Sequence, residues 1–297
     1  MTTTDARPLV VGIDESSQSQ LALRWAVDEA RNRGYHVRLV SVYELTSQRF
    51  DYEPATIGAH TPLRDRFDQA VAFAFARIGR ERVSHAFVAG NPAQVLLTEA
   101  ESAVMVVLGS ATAPRAAAVL MGSVSSAVAA HARCPVVVVR TEQDPAPTGP
   151  VVVGVDGSPQ SDEAARVAFE QAHDRGLDLQ IVHCWRPVLG PIDPVRWESS
   201  LLAEELDERE TWIDDRVAAV AREYPDVRAT TELVQARAAE ELTTRSKHAT
   251  MIVVGSRGHG GISGLLLGSV SQALLHHADC TVIVTKAAAA GRGARQT

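Results

Sequence analysis

VVGIDESSQSQLALRWAVDEARNRG, Val10 to Gly34, returns without a gap as VVGVDGSPQSDEAARVAFEQAHDRG, Val152 to Gly176, an offset of 142 residues. Each copy opens on a β-branched run, turns at Asp14 or Asp156, and continues into a stretch with apolar residues at helical spacing. In the first copy Leu21, Ala22, Trp25, Ala26 and Ala30 form that stripe. Gly34 and Gly176 then supply a left-handed stop. Strand, tight turn and helix in succession predict a β-α unit at the head of each copy.

A second block confirms the duplication. GSVSSAVAAHARCPVVVV, Gly122 to Val139, aligns on GSVSQALLHHADCTVIVT, Gly268 to Thr285, at an offset of 146, so four residues are inserted between the two blocks. Further valine-rich runs read as strands: Leu9 to Ile13, Val37 to Val42, Val104 to Leu108 and Val136 to Val139, then Val151 to Val155, Leu179 to Cys184, Met251 to Val254 and Val282 to Val284. Continuous rather than alternating apolar runs suit a parallel sheet covered by helices on both faces. The expected fold is therefore α/β, two tandem doubly wound parallel-sheet domains of Rossmann-like type. The first is expected over residues 1–140 and the second over 151–286. TEQDPAPTGP, ending at Pro150, reads as a linker over 141–150, and 287–297 as a flexible tail.

Composition narrows the function. The 297 residues are 45% hydrophobic and 22% charged, with a mean hydropathy of −0.03 and no apolar run near the ~20 residues of a membrane span. Net charge is −7, and the basic residues are scattered, which argues against a nucleic-acid partner. The opening MTTTDARPLVVGID has no basic and apolar leader, so a cytoplasmic protein is expected. Cys134, Cys184 and Cys280 form no CxxC pair, which disfavours a zinc site or a disulfide framework.

Ligands of doubly wound sheets bind beyond the carboxyl ends of the strands. In the second copy that position carries GSRGHGGISGLLLGS, Gly255 to Ser269, between the run MIVV and a helical stretch. So few side chains let backbone N–H groups converge on phosphate oxygens, and Gly268 and Ser269 open a helix whose first N–H groups favour an anion. Ser269 could cap that helix or give its hydroxyl to a phosphate. The plainer reading is a loop followed by an ordinary cap. GxxxxGK[ST] is absent, and so is GxGxxG after either first strand, which disfavours P-loop and dinucleotide chemistry. Asp14 and Asp156 stand where a carboxylate can accept from a ribose or an adenine amino group, or simply cap the next helix.

Remaining candidates have structural readings. His131 and His277 fall at helix ends, where a cation is favoured. Cys134 and Cys280 read as core thiols, Tyr43 and Trp185 as packing aromatics, and Glu204 to Glu210 as a solvated helix face.

VGIDxS at the first strand and Gly-x2-Gly-x9-Gly-Ser at the fourth resemble the universal stress protein family in its tandem form, over nearly the whole chain. In that family the glycine pattern marks members that bind ATP. The resemblance implies phosphate and ribose contacts at Gly255, Gly258, Gly268, Ser269, Val270 and Ser271, a nucleoside contact at Asp156, and Cys184 beside adenine. Gly154, Arg257 and Gly261 complete the expected set. It also implies Mg²⁺ arriving with the ATP and a homodimer of chains.

The first copy departs from the pattern. Gly109 and Gly122 keep their spacing, but Thr112 replaces the second glycine, and a Cβ where backbone must approach closely weakens or reshapes the site. Gly12, Asp14, Val42, Gly109, Gly122, Ser123 and Val124 remain as candidate contacts, with Arg115 a compensating one. The expected function is that of an ATP-binding stress or growth regulator whose occupancy selects conformation or a protein partner, with at most weak hydrolysis. A slow ATPase, an enzyme cleaving an adenine nucleotide and a nucleotide-free scaffold are the alternatives.

Overall fold

The computed structural model describes residues 7–43, 61–110, 123–140, 149–185, 199–258 and 266–287. The chain divides into two compact units, Met1–Pro145 and Ala146–Thr297.

The first unit runs β1 (Leu9–Gly12), α1 (Ser17–Arg33), β2 (Val37–Tyr43), α2 (Thr61–Ile78), a 3-10 turn (Arg80–Arg82), β3 (Val83–Ala89), α3 (Pro92–Ala100), β4 (Met105–Gly109), α4 (Ser123–His131) and β5 (Val136–Val139). Its strands are all parallel in the order β3-β2-β1-β4-β5. The second unit repeats this with β6 (Val151–Gly154), α5 (Pro159–Arg175), β7 (Leu179–Trp185), α6 (Ser199–Glu223), β8 (Ala229–Gln235), α7 (Ala238–Arg245), β9 (Met251–Gly255), α8 (Ser269–His277) and β10 (Thr281–Thr285). Its order is β8-β7-β6-β9-β10, again all parallel. The mixed α/β, doubly wound expectation holds in each unit.

The central strands form because their valines are covered on both faces: Leu9, Val10, Val11, Val106, Val107, Val136 and Val137 have no exposed surface. Each expected central strand is present with its ends shifted by at most one residue. The edge strands β3 and β8 were not foreseen. Their sequences, VSHAFVA and ATTELVQ, are largely half-buried or exposed, so neither carries a continuous apolar run.

Helices α1 and α5 begin and end as their sequences dictate. Ser16 and Ser158 accept from the amides of Ser19 and Ser161 at 3.1 and 3.2 Å, and Gly34 and Gly176 close the helices in left-handed geometry at φ 74° and 61°. Ala22, Trp25, Ala26 and Ala30 are buried; Leu21 is only half-buried, with Leu23 and Val27 completing the face.

One contact differs in polarity between the units. On β2, Arg38 donates to Glu99 of α3 through Nε at 2.5 Å and Nη2 at 2.7 Å. The equivalent positions hold Gln180 on β7 and Arg245 on α7, and here Arg245 donates to Glu241 and Glu232, each at 2.7 Å.

Candidate functional site

Strand order reverses between β1 and β4 and between β6 and β9, and helices leave these strands toward opposite faces of the sheet. A crevice opens at the carboxyl edge of each unit at this point. In the second unit it is a cavity of about 290 Å³. Gly154, Asp156, Cys184, Gly255, Arg257, Gly258, Gly268, Ser269, Val270 and Ser271 all line it, whereas Gly261 lies outside the described residues. The first unit has a cavity of about 330 Å³ lined by Gly12, Asp14, Val42, Gly109 and Val124. Arg115 and Gly122 lie outside the described residues, and Ser123 begins α4 without a described side chain.

Neither aspartate caps its helix. Asp156 Oδ1 accepts from Ser158 N at 3.0 Å and Ser158 Oγ at 2.7 Å, while the Ser158 oxygen makes the cap. Asp14 accepts from Ser16 N and Oγ at 2.9 and 2.5 Å in the same way. The cap residue therefore holds each carboxylate at the cavity wall.

Each of these glycines meets a different neighbour. A Cβ on Gly255 would stand 2.8 Å from Gln160 Cβ and 3.0 Å from its carbonyl carbon, and one on Gly109 would stand 2.5 Å from the Gln18 carbonyl carbon. These residues let the end of the fourth strand lie against the first turn of α5 or α1. On Gly154 the clash would be with Leu242 Cδ1 at 2.8 Å, and on Gly12 with Leu108 Cδ2 at 2.7 Å. Here absent side chains leave room for an apolar floor. Gly258 touches the carboxylate itself: its Cβ would lie 2.0 Å from Asp156 Oδ2. None of these five has a left-handed backbone, so close approach rather than φ selects glycine.

Helix α8 starts at the cavity. Gly268, not Ser269, is its N-cap, with no side chain satisfying the first turn. Among the described residues nothing accepts from the amides of Ser269, Val270 and Ser271. These are the orphan donors of a helix start, at the positive end of its dipole. The buried Ser271 hydroxyl is directed elsewhere, to the carbonyls of Ser256 at 3.1 Å and Gly268 at 3.0 Å. With Gly268 N donating to Ser256 O at 2.7 Å, it ties together the two ends of the glycine segment.

Apolar walls from Val182, Leu242 and Val254 complete the cavity. Val182 and Leu242 escaped sequence reasoning. Val182 was legible as the residue two before Cys184 on the same strand face; Leu242 sits on a helix that no motif marks. The half-buried Cys184 thiol is pushed up from 9.0 to about 11, first by burial and then by Glu241, with Arg245 opposing. It is neutral at physiological pH and presents an apolar surface.

The other candidates keep structural roles. Cys134 and Cys280 are buried, Tyr43 stacks on Phe87 at 5.1 Å between ring centres, and His131 and His277 end α4 and α8. The acidic run 204–210 lies within α6. No described helix is long and apolar enough to cross a membrane.

Two successive doubly wound units, each with a crevice at its switch point, define a tandem α/β protein with a ligand-type pocket in each half. The profile of the universal stress protein family matches residues 6–140 and again 148–286, and the chain belongs to that family. It is 36% identical over 289 residues to the universal stress protein Rv2005c of Mycobacterium tuberculosis, covering 94% of this chain and 96% of that protein. Rv2623 of the same organism is 33% identical over 290 residues, at 94% and 96% coverage. Among solved structures, a universal stress protein from Archaeoglobus fulgidus superposes with a TM-score of 0.68 at 19% identity, covering 96% of this chain and 97% of that one.

Proposed function

We propose that the second unit binds ATP, and that occupancy of this pocket, rather than turnover, is how the protein acts as a stress or growth regulator. The observation that carries the reading is the meeting in one cavity of three unlike surfaces. These are the orphan amides of Ser269 to Ser271, the carboxylate of Asp156 held by Ser158, and the apolar patch of Val182, Cys184 and Leu242. An anion, a hydroxylated or amino-bearing group and a flat apolar ring are what these surfaces would accept, and an adenine nucleotide carries all three. Mg²⁺ is taken to arrive with the triphosphate. In the same reading the chain works as a cytoplasmic homodimer whose occupancy is read by a protein partner. The first unit keeps Asp14 and the apolar wall but has Thr112 where the second has Gly258, and its nucleotide site is weaker.

The test is the nucleotide released from the purified protein by denaturation and identified by mass, beside a Gly268→Val variant. ATP present in the wild type and lost in the variant is the expected result. Absence of adenine nucleotide, together with no binding on addition, leaves the nucleotide-free scaffold. Rapid ATP turnover favours the enzyme reading.

A further inference from the structure

Behind the Asp156 turn, on the side away from the cavity, stands an aromatic that no motif marks. Trp212 of α6 is 41% exposed, yet its six-membered ring lies flush on the backbone of Gly157. A Cβ on that residue would lie 2.0 Å from Cη2 and 2.6 Å from Cζ2. Gly157 also has φ +82°, so glycine is required there both by backbone conformation and by the ring. The ring is itself held. Arg216 lies over it at 5.2 Å and is anchored to Asp162 of α5 by bonds of 3.0 and 2.5 Å. His183 meets its edge at 6.3 Å between ring centres, and His183 Nδ1 lies 2.9 Å from the Val155 carbonyl oxygen.

A cavity of about 50 Å³ lies between α6 and the turn, lined among others by Val155, Gly157 and Trp212. Val155 also lines the larger cavity. Val155 thus lines both cavities, with Asp156 on the ligand pocket and Gly157 on the smaller one beside Trp212. A small void beside the turn leaves the turn room to retreat unless something presses against it. The first unit lacks this arrangement. Glu15 replaces Gly157, and at the offset of 146 that relates β8 to β3 the counterpart of Trp212 is Arg66. The neighbouring pair Ile213 and Phe67 is buried in both units, so the register of the comparison is sound.

We propose that Trp212 is a positioning residue for the pocket of the second unit, bracing the Asp156 turn from behind so that the carboxylate stays at the cavity wall. The proposal rests on the adenine-nucleotide reading. It makes α6 a sensing element, because any ligand that engages Asp156 is coupled through Gly157 to the indole ring.

The experiment is a double-mutant cycle on the full chain, with ATP·Mg²⁺ binding followed by calorimetry for the wild type, Trp212→Ala, Asp156→Asn and the double variant. Each single change is expected to weaken binding about tenfold, and the double variant to lose no more than the larger single loss, because Trp212 acts only through Asp156. Trp212→Phe should restore affinity to within about threefold of the wild type, since a flat ring still fills the contact over Gly157. Losses that multiply to about a hundredfold in the double variant would assign Trp212 an independent structural role and overturn the proposal. So would a Trp212→Ala protein that binds as tightly as the wild type. If the wild type binds no adenine nucleotide, both this proposal and the functional reading fall; in the two preceding outcomes only this one does.

Discussion

Gly258 and Asp156 compete for one place: a β-carbon on the glycine would sit 2.0 Å from Oδ2 of the aspartate. The second glycine of the motif therefore does its work before any ligand arrives, by letting backbone lie against a carboxylate. Thr112 at the equivalent position of the first unit carries the β-carbon that Gly258 lacks. Gly258→Thr, which transplants the first unit's residue into the second, is expected to push Asp156 aside and weaken ATP binding at least tenfold, about 1.4 kcal/mol. Calorimetric titration checks this, and an unchanged affinity would show that Asp156 does not meet the nucleotide.

Cys184 makes a pH-dependent prediction. With its thiol raised from 9.0 to about 11, chiefly by burial, it should react slowly with a maleimide at pH 7.5 and progressively faster toward pH 11, because the thiolate is the nucleophile. Bound ATP should protect it. The folded state holds the thiol protonated more tightly than the unfolded state does. The contribution to stability is therefore fully present below about pH 9 and is lost as pH rises toward 11. Cys184→Ala should flatten that alkaline limb in urea unfolding measured across the range.

The duplicated cap gives an internal control. Ser16 and Ser158 each cap a helix and each hold an aspartate. Replacing either by alanine should cost about 1 kcal/mol of stability in chemical denaturation. Only Ser158→Ala should also weaken ATP binding severalfold. Equal effects on the ligand from both serines would mean that the first pocket contributes as much as the second.

Leu242, 2% exposed and packed beneath Gly154, ties core to pocket. Leu242→Ala should destabilise the second unit by roughly 2–5 kcal/mol. Urea unfolding of the full chain checks the loss.

Much of this was legible because the decisive residues repeat. The valine runs of β1, β4, β6 and β9, the stops at Gly34 and Gly176, and the carboxylates at the switch point all announce themselves through pattern or duplication. β3 and β8 stayed hidden because an edge strand is covered less and need not be apolar throughout. The glycines could be found but not understood, since nothing in a sequence distinguishes Gly255, which admits Gln160, from Gly258, which admits Asp156. Ser158 was hidden beside Asp156, because aspartate and serine both cap helices and only geometry shows which does so. Trp212 was missed for another reason: its partner is a backbone glycine 55 positions earlier in the chain, a contact with no sequence period.

The reversed contact of Arg38 with Glu99, against Arg245 with Glu232 and Glu241, bears on how such a chain reaches its fold at all. A polypeptide with two near-copies of one unit risks seating a helix on the wrong sheet while it folds. Were α7 to settle against β2, Arg245 would meet Arg38; were α3 to settle against β7 and β8, Glu99 would approach Glu232 with Gln180 where its arginine should be. Both errors set like charges together or strand a charge without its partner. Pairs that add little to stability where partly solvated thus leave α3 and α7 carrying opposite charges at equivalent positions, so the two helices are not interchangeable at this contact.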